Sequence, residues 1–150
     1  MAANIEREIK LQFDSPEAAQ IAINKLGASH LRGRRLQDDR LFDWPDGRLR
    51  KSHSSIRLRR EGKISTLTFK GPPQSTTMKV REEIETTVQD ESSLVTILER
   101  LGLRLCFHYQ KYRQEFQHLG VVLAIDETPI GTFVELEGNK SGITTIATAM

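Results

Sequence analysis

The sequence predicts a mainly β fold of the α+β type: a closed antiparallel barrel of eight strands with two or more flanking helices. Three observations predict it. Eight segments alternate between apolar and polar residues with period two, as strands with unlike faces do. Between them lie short stretches that permit tight reversal, and two further segments carry helix start and stop signals. So many antiparallel strands with so few helices fit a barrel or a curled sheet closed on itself.

In chain order, the first strand is expected over residues 5–13. Ser15-Pro16-Glu17 then supplies an N-cap, a proline at the first helical position and an acid in the first turn; the helix runs to Leu26, with Gly27 just past its end. Strands follow at 35–42, 55–60, 64–70 and 78–88, separated by the turns Pro45-Asp46-Gly47 and Glu61-Gly62-Lys63. A second helix starts near Glu91-Ser92, with Leu94, Ile97, Leu98 and Leu101 at helical spacing and Gly102 after them. The last strands are expected at 105–116, 121–126 and 132–137, turning at His118-Leu119-Gly120 and Pro129-Ile130-Gly131.

A chain of 150 residues with 37% hydrophobic and 28% charged residues fits one globular domain. A net charge of +2 is too small for non-specific nucleic-acid binding, so the arrangement of charge matters more than its sum. The single cysteine, Cys106, excludes an intramolecular disulfide and points to a reducing compartment. Met1-Ala2-Ala3-Asn4 lacks the features of a signal peptide, and no apolar run approaches the ~20 residues of a membrane span. The expectation is a cytoplasmic protein without a membrane partner.

Alternation also sorts the charges. Glu6, Glu8 and Lys10 share one face of the first strand, opposite Ile5, Ile9, Leu11 and Phe13. Arg57 and Arg59 alternate with Ile56 and Leu58, Thr68 and Lys70 with Leu67 and Phe69, and Arg81, Glu83 and Glu85 with Val80, Glu82 and Ile84. Lys111 and Arg113 share a face, as do Glu135 and Glu137; Asp126 ends a strand whose other face carries Val121, Leu123 and Ile125.

For any one strand a solvated face accounts for this pattern. Across the strands the charges come in pairs of one sign: Glu6/Glu8, Glu83/Glu85 and Glu135/Glu137 against Arg57/Arg59 and Lys111/Arg113. Neighbours on one face of a strand lie roughly 6.5–7 Å apart, where like charges repel unless they share a counterion. Clustered carboxylates suit hard divalent cations such as Mg²⁺ or Mn²⁺. Clustered Arg and Lys suit phosphate oxygens. A polyphosphate with bound metal satisfies both sets, held inside a water-filled barrel whose outer apolar face the helices cover.

These residues resemble a known family. Glu6-Arg7-Glu8-Ile9-Lys10 is similar to the Glu-x-Glu-x-Lys signature of the CYTH superfamily, the triphosphate tunnel metalloenzymes. In order there follow Leu41-Phe42-Asp43, Arg57-Leu58-Arg59, Leu67-Thr68-Phe69-Lys70, Arg81-Glu82-Glu83-Ile84-Glu85, Lys111-Tyr112-Arg113, and Asp126 through Gly131-Thr132-Phe133-Val134-Glu135-Leu136-Glu137-Gly138. The resemblance implies metal ligation by Glu6, Glu8, Glu135 and Glu137, with Glu83 or Glu85 and Asp126 completing a second site. It implies phosphate contacts from Lys10, Arg57, Arg59, Lys70, Arg81, Lys111 and Arg113, and catalytic importance for Glu6, Glu8, Lys10, Glu83 and Glu85. Family members include adenylyl cyclases and hydrolases of thiamine triphosphate, inorganic tripolyphosphate and RNA 5′-triphosphate ends; homodimers are common among them. Two departures stand out: Leu41 replaces a common aromatic, and only twelve residues, rich in Ser and Thr, follow Gly138. A single domain over 1–150, shortened at its C-terminus, is expected.

Three activities share the charged set. The first is metal-dependent hydrolysis of an inorganic or organic triphosphate, one cation bridging phosphate oxygens and a second, held by carboxylates, orienting water. The second is cyclisation of ATP with loss of pyrophosphate. The third is non-catalytic polyphosphate or nucleotide binding, against which the three Glu-x-Glu pairs argue. An RNA 5′-triphosphate end is the one nucleic-acid partner the pattern admits. His30, His53, His108 and His118 lack metal-site spacing, and no nucleophile pattern accompanies Ser52, Ser54 and Ser55 or Cys106. Arg32, Arg34 and Arg35 read as a solvated loop, and Trp44 as a locally packed turn residue.

Overall fold

The computed structural model describes residues 4–74 and 77–150, so the first three residues, part of the leader reading, lie outside the described residues. The elements are β1 (Asn4–Phe13), α1 (Pro16–Leu26), β2 (Ser29–Asp43), α2 (Arg48–Lys51), β3 (Ser55–Glu61), β4 (Ile64–Lys70), β5 (Lys79–Val88), α3 (Glu91–Arg100), β6 (Arg104–His118), β7 (Val121–Thr128), β8 (Gly131–Gly138) and α4 (Lys140–Ala149). The eight strands close on themselves in the order β1-β5-β4-β3-β2-β6-β7-β8. This is the expected closed antiparallel barrel, with four helices. Among the described residues no helix is long and apolar enough to cross a membrane.

The chain forms two compact units: residues 4–5, 37–74 and 81–110 in unit 1, and 6–36, 77–80 and 111–150 in unit 2. In unit 2 the outward residues Val121, Leu123, Ile125, Val134 and Leu136 are buried beneath α1 (Ala19, Ile23) and α4 (Ile143, Ile146). In unit 1, Phe42 and Leu58 pack with Leu98 of α3 and with Leu103. Covering the outer faces with apolar side chains leaves the opposite strand faces to the charged residues.

The helix starts follow their caps. The Ser15 side chain accepts from the Ala18 N–H at 3.0 Å to open α1, and Asp90 accepts from the Ser93 N–H at 3.0 Å to open α3. Two helices lie outside the sequence expectation. In α2, the Asp43 carboxylate gathers the N–H groups of Trp44, Leu49 and Arg50, a tertiary contact that one turn of sequence does not announce. Burial raises the Asp43 pKa, but these three backbone donors outweigh it and hold it below the usual carboxylate range.

The second is α4, formed by the Ser/Thr-rich tail. Asn139 caps it by accepting from the Gly142 N–H at 2.7 Å, and Ile143 and Ile146 are 0% and 1% exposed. Burial of two isoleucines stabilises about 3–6 kcal/mol by transfer, which outweighs the modest helix propensity of Thr. A Cβ on Gly142 would stand 2.8 Å from the Leu119 carbonyl oxygen and 2.7 Å from Val121 Cγ2, so this position requires glycine for close approach.

Strand β2 begins at Ser29, six residues before the expected start at residue 35. Arg32, Arg34 and Arg35 therefore lie on a strand and not in a loop. Arg34 donates twice to Glu127, at 2.6 and 3.1 Å, and Arg35 pairs with Glu115. Strand β6 likewise extends to His118.

Candidate functional site

Register explains the charge clusters. In unit 2, β1 pairs with β8 so that Glu8 lies across from Glu137 and Lys10 across from Glu135. Like charges directly opposite are destabilising in a sheet. Glu6, from the same face of β1, adds to the crowding: carboxylate oxygens of Glu6, Glu135 and Glu137 all lie within 4.8 Å of one another. Glu6 and Glu8 are only 5% and 7% exposed, so water screens them weakly. The same geometry is what a hard divalent cation requires, several carboxylate oxygens converging on one point.

Basic side chains flank this cluster on the same strand faces. Asp126, 1% exposed, accepts from Lys111 Nζ at 3.0 Å and from Arg113 Nε and Nη2 at 2.7 and 2.6 Å. Arg113 Nη2 also lies 3.4 Å from Glu135 Oε2. Burial lowers the Arg113 pKa, but Asp126, Glu135 and Glu115 more than offset this and raise it above the usual guanidinium value. Burial raises the Glu135 pKa, yet Arg113, a hydrogen bond with Glu8, Lys111 and Lys10 together pull it far below the usual carboxylate range. Lys10 is exposed, with its Nζ 5.6 Å from the Phe133 ring centroid. Lys79, on β5, brings its Nζ to 3.8 Å from Glu8 Oε1.

Unit 1 presents a face on which basic and acidic side chains meet. Asp39, fully buried, takes a bidentate contact from Arg59, with Nε at 2.7 Å and Nη2 at 2.8 Å. Arg57 lies across from Leu41 on one side and Thr68 on the other. Burial and then the neighbouring Arg59 lower the Arg57 pKa against the pull of Asp39, Tyr109 and Glu83, and its Nε has no hydrogen-bond partner among the described residues. Such a guanidinium is a ready donor for an anion. Lys70 Nζ lies 3.6 Å from Glu83 Oε2, and the buried Thr68 hydroxyl donates to Glu85 Oε1 at 2.9 Å. Arg81, half-buried, shares the face of Glu83 and Glu85 on β5.

The expected residues thus divide. Glu6, Glu135 and Glu137 come together, with Glu8 beside Glu137, while Asp126 is engaged by Lys111 and Arg113, Glu83 by Lys70 and Glu85 by Thr68. Asp39 and Tyr109 were not singled out by sequence reasoning. The Tyr109 hydroxyl donates to Asp39; burial first, then the Asp39 charge and this hydrogen bond, push its pKa up to about 12. Asp39 sits next to Asp38 in sequence, and only the β2–β3 register, which pairs Asp39 with Arg59, tells the two apart. Asp38 instead meets His108 and Gln110, at 3.0 and 2.7 Å.

The Tyr109 contact has a pH signature. A raised pKa means that the contribution is fully present below the ordinary tyrosine pKa near 10 and is lost as pH rises toward 12. Spectrophotometric titration should therefore show, relative to Tyr109→Phe, one phenol ionising near pH 12, with stability falling over that window.

The remaining candidates sit in local structure. Trp44 Nε1 donates to the Leu101 carbonyl at 3.3 Å and Arg48 stacks on its ring, which is the local packing expected of it. His30 packs edge-on against Phe116, His53 occupies a positive-φ turn, and the Cys106 thiol meets the Leu41 carbonyl. Burial raises the Cys106 pKa, the direction of an unreactive thiol.

Comparison with known proteins follows the same lines. A Methanocaldococcus jannaschii protein with a provisional adenylate cyclase name is 30% identical over 140 residues, covering 93% of this chain and 79% of the relative. A Pyrococcus horikoshii structure superposes with a TM-score of 0.79 at 25% identity, over 95% of this chain and 85% of that one. A Hippeastrum structure shares the fold at a TM-score of 0.68 and 21% identity, over 95% of this chain and 83% of that one; it is described as a provisional adenylyl cyclase with a dominant triphosphatase activity. The sequence profile of the CYTH domain matches residues 4–149, which take in all eight strands and α4, and the chain therefore belongs to the CYTH domain family.

Proposed function

We propose that this protein hydrolyses triphosphates with the help of a divalent cation, Mg²⁺ or Mn²⁺. The observation that carries the reading is the convergence of Glu6, Glu135 and Glu137 within 4.8 Å, beside Lys111 and Arg113. Three mutually repelling carboxylates fit a cation, and the adjacent basic groups fit the phosphates that accompany it. Glu6, Glu8, Glu135 and Glu137 would hold the ion. When bound, it would supply positive charge to phosphate oxygens and activate water.

The chain's own residues do the positioning. Asp126 fixes Lys111 and Arg113 by hydrogen bonds of 2.6–3.0 Å, so their charges are oriented before substrate arrives. Lys10, exposed on the face of Glu8, is free to follow a phosphate oxygen. In unit 1, Arg57, Arg59, Lys70 and Arg81 offer further donors to an anionic ligand. Attack of water in line on the terminal phosphorus spreads charge over its oxygens, and preset cations lower that barrier.

Cyclisation of ATP is the second reading, favoured by the adenylate cyclase name of the Methanocaldococcus jannaschii relative. One assay separates them: purified protein with Mg²⁺ or Mn²⁺, offered tripolyphosphate, thiamine triphosphate, ATP and a 5′-triphosphorylated RNA in turn. The expected product is phosphate. Cyclic AMP with stoichiometric pyrophosphate would overturn hydrolysis in favour of the cyclase, and binding without any product would leave a non-catalytic module.

A further inference from the structure

One basic side chain beside the carboxylates of unit 2 belongs to neither the metal set nor the phosphate set. Lys79 opens β5 between Met78 and Val80, both buried in the outer core of that unit. Successive side chains of a strand point to opposite faces, so Lys79 takes the other face. Glu8 does the same on β1, where Ile9 and Leu11 pack against that core. There the Lys79 Nζ comes to 3.8 Å from Glu8 Oε1.

The pair is lopsided: Glu8 is buried, whereas the Lys79 side chain is 48% exposed. Their separation exceeds the roughly 2.7–3.2 Å of an N–H···O hydrogen bond. The ammonium therefore meets Glu8 from the solvent side, through charge alone, on a flexible stem of four carbons. Lys111 is the contrast, buried and donating to Asp126 at 3.0 Å. Glu8 needs a positive neighbour, because Glu137 lies directly across from it. Lys79 supplies one, but loosely, and an exposed ion pair is weak enough for a stronger cation to replace. Glu8 is also assigned to the divalent cation, and two cations at one carboxylate repel. An ammonium displaced from Glu8 stays tethered nearby, where phosphate oxygens arriving with the cation offer it acceptors.

We propose that Lys79 is a tethered counterion that makes cation binding depend on the triphosphate. It neutralises Glu8 in the metal-free protein, yields Glu8 to the divalent cation, and then donates to a phosphate oxygen. Lys79 thereby opposes a cation that arrives alone and favours cation and anion together, a coupling between two ligands through one side chain. The inference rests on the triphosphate reading above and adds the residue that links its two ligands.

The test measures two affinities of the full chain in the wild type, Lys79→Met and Lys79→Arg. Mn²⁺ alone is titrated through the loss of its free-ion electron paramagnetic resonance. Non-hydrolysable imidotriphosphate is titrated calorimetrically at saturating Mn²⁺. Lys79→Met should bind Mn²⁺ alone about two- to fivefold more tightly, the worth of an exposed ion pair. It should bind imidotriphosphate about tenfold more weakly, the worth of a hydrogen bond to a charged group. Lys79→Arg, which keeps the charge, should return both values toward wild type. Weaker binding of both ligands by Lys79→Met, or a lower melting temperature without metal, would give Lys79 a structural role and overturn the inference. Unchanged affinities, or a change in one alone, would overturn it and leave the triphosphate reading standing. Binding of neither ligand by the wild type would overturn both readings.

Discussion

Glu6→Gln should lower metal-dependent triphosphate turnover by at least about 100-fold while leaving the fold in place. Losing even an outer-shell partner of a metal typically costs 10–100-fold, and Glu6 is assigned to the metal itself. The thermal behaviour gives the substitution a distinctive signature. In metal-free protein, Gln removes one of three carboxylates that repel across less than 4.8 Å, so the melting temperature should hold or rise. A cation present at 100 times its dissociation constant adds about 2.7 kcal/mol, or roughly 5–11 °C for a domain of this size. That increment should appear in the wild type and vanish in Glu6→Gln. A variant with normal turnover, or one destabilised without metal, would contradict the assignment.

Asp126→Ala should have the largest effect on stability. Asp126 is 1% exposed and accepts from both Lys111 and Arg113. Its loss leaves two inward cations without their shared counterion. Breaking such a buried group by removing one partner costs about 3–5 kcal/mol, a large fraction of the roughly 5–15 kcal/mol by which domains are stable. Urea denaturation should show a lower midpoint at unchanged slope. Tripolyphosphate should restore more stability to the variant than to the wild type, because its oxygens replace the missing carboxylate. A cost below about 1 kcal/mol would mean that water already screens the pair.

The barrel was legible because strand alternation is a property of the backbone: Glu6 and Glu8 fall on one face wherever the strand lies. The carboxylate cluster was legible because Glu6 and Glu8, and Glu135 and Glu137, stand at i and i+2 and so share a strand face. What the sequence concealed depends on contacts distant along the chain. Glu83 and Glu85 read as a carboxylate pair like Glu135 and Glu137, but the β4–β5 register sets them opposite Lys70 and Thr68. Asp39 and Tyr109 become meaningful only once β2 lies against β3 and the hydroxyl finds its acceptor. Helix α4 was hidden by composition: its Thr and Ser side chains read as loop, while Ile143 and Ile146 reveal their role only against Val134 and Leu136. The arginines at 34 and 35 read as a solvated loop because their carboxylates, Glu127 and Glu115, lie more than seventy positions away.

In the proposed function a divalent cation and a triphosphate bind together at the carboxylates and basic residues of unit 2. Calorimetric titration of tripolyphosphate, with Mg²⁺ present and then with a chelator, tests it most directly. Affinity should fall at least tenfold when the cation is removed, and the metal dependence should disappear in Glu6→Gln. Equal affinity with and without Mg²⁺ would show that the basic residues bind the anion alone, and the carboxylate cluster would lose its assigned role.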